Sequence, residues 1–211
     1  MRTNLELHGY YDWRLVAFSL AIAFLASLVA VRTAHELITK PDISSPGMAG
    51  AVRAGSVLGL GIWAMHFTGM AAFHLDNVDV GYRWDITALS LLVAIIFTVI
   101  GFATAGMMNN TFEGIVVASI PMAVGVLAMH FLGMMAMTGE VEQHYDAWMV
   151  LLAGGIALTA SIGALWLTRS ARSLGRQLAA ASAMALAISG MHYTGMHAAT
   201  FHSVQAKSEA R

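Results

Sequence analysis

The chain contains no cysteine. That excludes thiolate metal sites, disulfides and cysteine nucleophiles. Charge is scarce as well. Only 11% of the 211 residues are Asp, Glu, Lys or Arg, against about 25% in soluble domains. Eleven Lys and Arg with 12 Asp and Glu cannot cover the surface of a soluble protein of this size. They also offer no basic patch, so nucleic acid is excluded as a partner. What fills the chain instead is apolar: 58% of residues are hydrophobic and the mean hydropathy is +0.68. Against that background 15 Met and 9 His stand out.

A membrane-crossing helix needs about 20 mostly apolar residues. Six stretches qualify: Leu15–Val31, Ala54–Phe73, Ile86–Ala105, Gly114–Met137, Ala147–Thr168 and Leu178–Ala199. None carries Asp, Glu, Lys or Arg. Backbone groups in lipid must be satisfied within their own segment, so these read as helices. The first stretch lacks the basic flank and small-residue cleavage site of a signal peptide. The connection Arg32–Arg53 holds Pro41 and Pro46 and reads as a surface segment. Arg169, Arg172 and Arg176 crowd one short loop, which places that side in the cytoplasm and the N-terminus outside. Trp13, Trp84 and Trp148 then open the odd-numbered spans at the outer interface, where aromatic anchors sit.

Self-similarity is the strongest signal. The second span carries Met65-His66-Phe67-Thr68-Gly69-Met70, the fourth Met129-His130-Phe131-Leu132-Gly133-Met134, and the sixth Met191-His192-Tyr193-Thr194-Gly195-Met196. The histidines recur after 64 and then 62 residues, one helical hairpin each time. The expected fold is all-α: an integral membrane six-helix bundle of three repeated two-helix hairpins. It forms one domain over residues 1–211, with repeats at about 8–76, 77–143 and 144–202 and a polar tail at 203–211.

On a helix the His and the Met four residues later share a face. The Met just before the His is turned about 100° away. The Gly three after the His removes a side chain and lets a neighbouring helix approach. Each His lies roughly 10 Å below the outer end of its span, so three imidazoles fall in one layer. The expected metal ligands are His66, Met70, His130, Met134, His192 and Met196. Met65, Met129, Met191, His74 and His197 are further candidates, with His74 continuing the stripe of His66 and Met70. His8, His144 and His202 read as solvated or interfacial.

Thioether sulfur is soft and favours Cu(I), and imidazole suits copper in both states. Zinc without cysteine prefers His with carboxylate, and no acid lies in the spans. Copper is therefore the expected cofactor. A haem held by two histidines is the alternative, although it explains neither the three copies nor the Met. One three-His site and two mixed sites both fit the ligand count. No catalytic carboxylate, Cys or nucleophile constellation lies in the spans, so a binding module is favoured over an enzyme.

These residues resemble the MHYT-domain family of bacterial integral membrane proteins. Met191-His192-Tyr193-Thr194 matches its motif letter for letter, and the likeness covers essentially the whole chain. The resemblance implies copper binding through the Met and His residues, and sensing of a diatomic gas (O₂, CO or NO) or of redox state. It implies an inner-membrane location with the metal toward the periplasmic face, and a membrane or cytoplasmic signalling partner. In two copies Phe67 and Phe131 replace the motif Tyr, so only Tyr193 keeps the hydroxyl. Relatives commonly add a seventh span leading to an output domain, so the chain reads as a fragment of a longer sensor or as a stand-alone form. Copper handling or transport, and a copper- or haem-containing membrane enzyme or electron-transfer subunit, are the competing functions.

Overall fold

The computed structural model describes residues 7–39, 48–76, 78–108, 111–139 and 141–203. It contains six helices: α1 Trp13–Thr39, α2 Met48–Ala71, α3 Trp84–Met107, α4 Phe112–Met135, α5 Ala147–Ser170 and α6 Leu174–His197. Thr111 and Asp146 cap α4 and α5, their side chains accepting hydrogen bonds from Gly114 N and Met149 N. Each cap satisfies a backbone donor that the first turn leaves open. α1 runs eight residues past the expected span, because Arg32–Thr39 holds no Gly or Pro. It ends just before the Lys40-Pro41 pair, and helices usually end at or before the residue preceding a proline. Pro41 and Pro46, read as part of a surface segment, lie outside the described residues.

Among the described residues six short strands close one end of the bundle: β1 Gly9–Tyr11, β2 Phe73–Leu75, β3 Gly81–Tyr82, β4 Met137–Thr138, β5 Val141–Tyr145 and β6 Ala199–Ser203. They pair antiparallel as β1–β2, β3–β4 and β5–β6. In register, Tyr11 opposes Phe73, Tyr82 opposes Met137, and Tyr145 opposes Ala199. The residue after each Tyr donates its amide across the pair: Asp12 to Ala72 O, Arg83 to Ala136 O and Asp146 to Ala198 O, each at 2.8 Å. The strands explain why α2, α4 and α6 stop short of the expected ends. Phe73, Met137 and Ala199 exchange a helical bond for a ladder.

Neighbouring helices touch in chain order, and α1 packs on α6 to close the ring. α2 also touches α4 and α6. The faces α1, α3 and α5 turn inward are made mostly of small residues at helical spacing. Ser19, Ala23, Ser27 and Ala30 are buried on α1, Ser90, Ala94, Thr98 and Gly101 on α3, and Ala153, Ala157, Ser161 and Ala164 on α5. Small side chains let helix backbones approach closely without a hydrophobic driving force. The larger buried side chains come mainly from α2, α4 and α6, Leu58, Met65, Met122, Met129, Met184 and Met191 among them. Outward, Phe18, Leu25, Leu92, Ile96, Leu151 and Leu152 are exposed. An apolar belt of that extent marks a surface that lipid or protein must cover.

Among the described residues, five helices, α1 to α5, are long and apolar enough to cross a membrane. α6 has the length, but Arg176, Gln177, Ser182, Ser189 and His192 lower its hydropathy. The sixth expected span is therefore a helix without the composition of the other five. Trp13, Trp84 and Trp148 are each at least three-quarters exposed, at the strand end of the bundle.

Candidate metal centre

Gly69, Gly133 and Gly195, not the histidines alone, decide how the site is built. α2, α4 and α6 carry His66, His130 and His192 to one depth, and all three are fully buried. Their Nδ1 atoms form a triangle: His66 to His192 3.0 Å, His130 to His66 3.2 Å, and His192 to His130 3.4 Å. The ring centroids are 4.9–5.3 Å apart with the planes near perpendicular. Each ring is seated over the glycine of a neighbouring helix. A Cβ on Gly133 would lie 2.1 Å from Nε2 of His66, one on Gly195 2.3 Å from His130, and one on Gly69 2.4 Å from His192. The glycine thus admits an imidazole rather than a helix backbone, which corrects the expectation from sequence. The interlock runs in a cycle, α2 into α4, α4 into α6, and α6 into α2.

Hydrogen bonding alone leaves this arrangement frustrated. An imidazole Nδ1 is either a donor or an acceptor. Three of them in a triangle make at most two donor–acceptor pairs, so one edge is always mismatched. The three Nε2 atoms are buried and lack hydrogen-bond partners. A metal ion removes the mismatch by accepting all three lone pairs. At metal–nitrogen distances of about 2.0–2.1 Å, ligand nitrogens lie about 3.3 Å apart in tetrahedral and about 3.5 Å apart in trigonal geometry. The observed 3.0–3.4 Å fits that requirement with a small outward movement. The three residues form a group that could hold a metal ion. A porphyrin does not fit between rings this close, which removes the two-His haem arrangement for these residues.

The methionines lie in two groups. Met70, Met134 and Met196 pack with Leu75 and Phe201 at the strand end. Met65, Met129 and Met191 pack in the main core with Leu58, Ile62 and Val126. All six are buried. His74 does not continue the α2 stripe, because the chain has left the helix and entered β2. It is exposed, stacks on Tyr10 at 5.4 Å, and its Nδ1 lies 3.1 Å from Ala72 O. His197 is exposed at the end of α6. His144 and His202 pack edge to face at 5.1 Å on the outer side of β5–β6.

Sequence reasoning missed a ring of aromatic contacts around the triad. Phe67, Phe131 and Tyr193 follow the three histidines. They meet Tyr82 at 5.5 Å, Tyr145 at 5.3 Å and Tyr11 at 5.7 Å. Tyr82 and Tyr145 thus cover the motif aromatics of α2 and α4, and Tyr11 covers that of α6. The signal was present as Tyr11, Tyr82 and Tyr145 standing two or three residues before each Trp. Burial pushes these three phenols up to about 12. The hydroxyl of Tyr193 shares a 2.9 Å hydrogen bond with Ser19 Oγ, tying α6 to α1.

Fold and site together define a class: a helical bundle of membrane type that buries a three-histidine cluster able to hold a metal. The chain belongs to the MHYT family. The family profile, described as a bacterial signalling protein N-terminal repeat, matches residues 59–118 and 124–181. Each match runs from one motif helix into the next. The chain is 35% identical over 196 residues to the bifunctional diguanylate cyclase/cyclic di-GMP phosphodiesterase MucR of Pseudomonas aeruginosa, covering 90% of this chain and 28% of that protein. It is 35% identical over 186 residues to the cyclic di-GMP phosphodiesterase NbdA of the same organism, covering 84% and 24%. The signaling protein YkoW of Bacillus subtilis is 27% identical over 206 residues, covering 94% and 25%. The chain spans about a quarter of the length of these curated relatives. No solved structure matches it.

Proposed function

We propose that this chain is a membrane copper-binding module that senses a diatomic gas or redox state. The observation that carries the reading is the Nδ1 triangle of His66, His130 and His192, at 3.0–3.4 Å. These three residues would hold the ion. Met70, Met134 and Met196 supply soft donors at the strand end, and Met65, Met129 and Met191 supply them on the other side. Soft thioethers beside imidazole select Cu(I). A bound Cu(I) with an open coordination position supplies a site for O₂, CO or NO. The residues of the chain then hold the imidazoles in register, exclude water and convert a shift in ring position into a shift in helix packing. Because each ring is seated on a glycine of the next helix, that shift is felt by three helices at once, as a change of population between packings.

The reading includes an architecture of three repeated hairpins, with α6 completing the bundle in the bacterial inner membrane. The exposed Trp13, Trp84 and Trp148 and the Arg169–Arg176 cluster support an orientation with the N-terminus and the metal toward the periplasm. The relatives' names support cyclic di-GMP signalling as the output, through a domain or partner on the cytoplasmic side.

Metal analysis of the full chain purified in detergent or nanodiscs tests the reading. The wild type is expected to retain copper, and a His66/His130/His192 triple Ala variant to lose it. Zinc alone, which three imidazoles and a water also satisfy, would remove copper from the account. Retention of copper by the triple variant would remove the triad.

A further inference from the structure

The three hairpins differ at one matched place. Counting from the strand tyrosines Tyr11, Tyr82 and Tyr145, positions Ala26, Phe97 and Ala160 correspond on α1, α3 and α5. Counting from the three histidines, Gly61, Gly125 and Ala187 correspond on α2, α4 and α6. In the first hairpin Ala26 closes tightly on Gly61, 2.0 Å from where a Cβ would stand. In the second, Phe97 fills the space over Gly125, its Cβ 2.2 Å from the same point. In the third, Ala160 faces the same level as Ala187, with neither a glycine to close on nor a ring to fill the gap.

The result is a groove of about 260 Å³ between α5 and α6, lined by Gly163, Leu167, Ala183 and Ala187 among others. Nothing lies within 4 Å of where a Cβ on Gly163 would stand. Beside it, a cavity of about 20 Å³ lies between α2, α4, α5 and α6. Ile62, Val126 and Ile188 line it, each one turn from its His, and a turn is about 5.4 Å. Met191, the neighbour of His192, lines it too. Groove and cavity share Ala160, Ala164, Met184 and Ala187, so they adjoin with only these side chains between them. Its hydroxyls are spent: Ser161 bonds Ala157 O at 2.8 Å and Thr159 bonds Gly155 O at 2.9 Å. An apolar cavity of this kind stays dry and accepts small apolar molecules.

We propose that the α5–α6 gap is a lateral port, by which a small neutral apolar molecule dissolved in the lipid reaches the cavity beneath the histidine triad. It deepens the sensor reading by giving the ligand a route. The occupant is apolar and about the size of a diatomic or a noble-gas atom. Ions and polar ligands are excluded by the lining.

Xenon is the probe. The full chain in nanodiscs is equilibrated with xenon under pressure and followed by ¹²⁹Xe NMR. One saturable bound signal is expected for the wild type. Ala160→Phe copies the plug of the second hairpin and is expected to abolish the signal or slow its exchange. Ala187→Leu closes the gap from the other helix and gives a second reading if the first variant fails to fold. Gly155→Leu, at an exposed position with nothing within 4 Å, is expected to leave the signal unchanged. Absence of a saturable signal in the wild type overturns the proposal, as does unaltered exchange in a folded plugged variant. Neither result touches metal content, which is measured separately, so failure of the port and failure of the metal reading are distinguishable.

Discussion

Gly133→Ala separates packing of the bundle from geometry of the triad. The added Cβ would stand 2.1 Å from His66 Nε2, whereas a carbon at van der Waals contact needs about 3.5 Å. The ring has to retreat by about 1 Å or more. Its Nδ1, 3.0 and 3.2 Å from the other two, then leaves the triangle. Stability responds weakly, because two effects oppose. Ala is the better helix former by about 0.8–1.0 kcal/mol, and overpacking costs about 1–3 kcal/mol. The net loss is about 0–2 kcal/mol. Metal affinity responds strongly, since disturbing the groups that orient a ligand typically costs about 10–100-fold. The assay is competition for Cu(I) with a chromophoric chelator, alongside a thermal unfolding midpoint on the same samples. Gly106→Ala is the control: nothing lies within 4 Å of its Cβ position, so affinity stays at the wild-type value. Wild-type affinity in a folded Gly133→Ala protein would refute the interlock.

Three further outcomes follow from the same geometry. Met70→Leu conserves volume at a buried position, so stability falls by less than about 1.5 kcal/mol. Its Cu(I) affinity falls while its Zn²⁺ affinity does not, and equal changes for both metals would argue against a thioether ligand. Tyr193→Phe removes the bond to Ser19 Oγ, which keeps its own bond to Val16 O at 2.8 Å. Unfolding is eased by about 0.5–1.5 kcal/mol, and an unchanged midpoint contradicts the α1–α6 tie. Tyr11, Tyr82 and Tyr145 are held at about 12 when folded, against about 10 unfolded. Their contribution is complete below pH 10 and is lost as pH rises toward 12. Phenolate absorbance checks this, and titration of all five Tyr at the ordinary value would contradict it.

Much of the site was legible because it is periodic. The three His-x-x-x-Met pairs at equal depth put the imidazoles in one layer before any contact was known. The glycine at the third position after each His was legible as a feature but not in its role. Its partner is the His of another helix, 60 or more residues away, and spacing within one helix cannot report that. The strands were hidden by their length. Gly81–Tyr82 and Met137–Thr138 are two residues each, too short for alternation to register. Their tyrosines repeat in step with the tryptophans, and that was the available signal. Helix ends were misplaced where tertiary pairing decides them, at Phe73, Met137 and Ala199. The α5–α6 gap was not legible, because it depends on Ala160 and Ala187 facing one another across two helices.

The central claim is that His66, His130 and His192 hold one copper ion through Nδ1. X-ray absorption at the copper edge of the Cu(I)-loaded chain tests it most directly. The account predicts imidazole scattering from three nitrogens at about 2.0–2.1 Å, lost in the triple Ala variant. A spectrum made of thioether sulfur alone, or an unchanged spectrum in that variant, would contradict it.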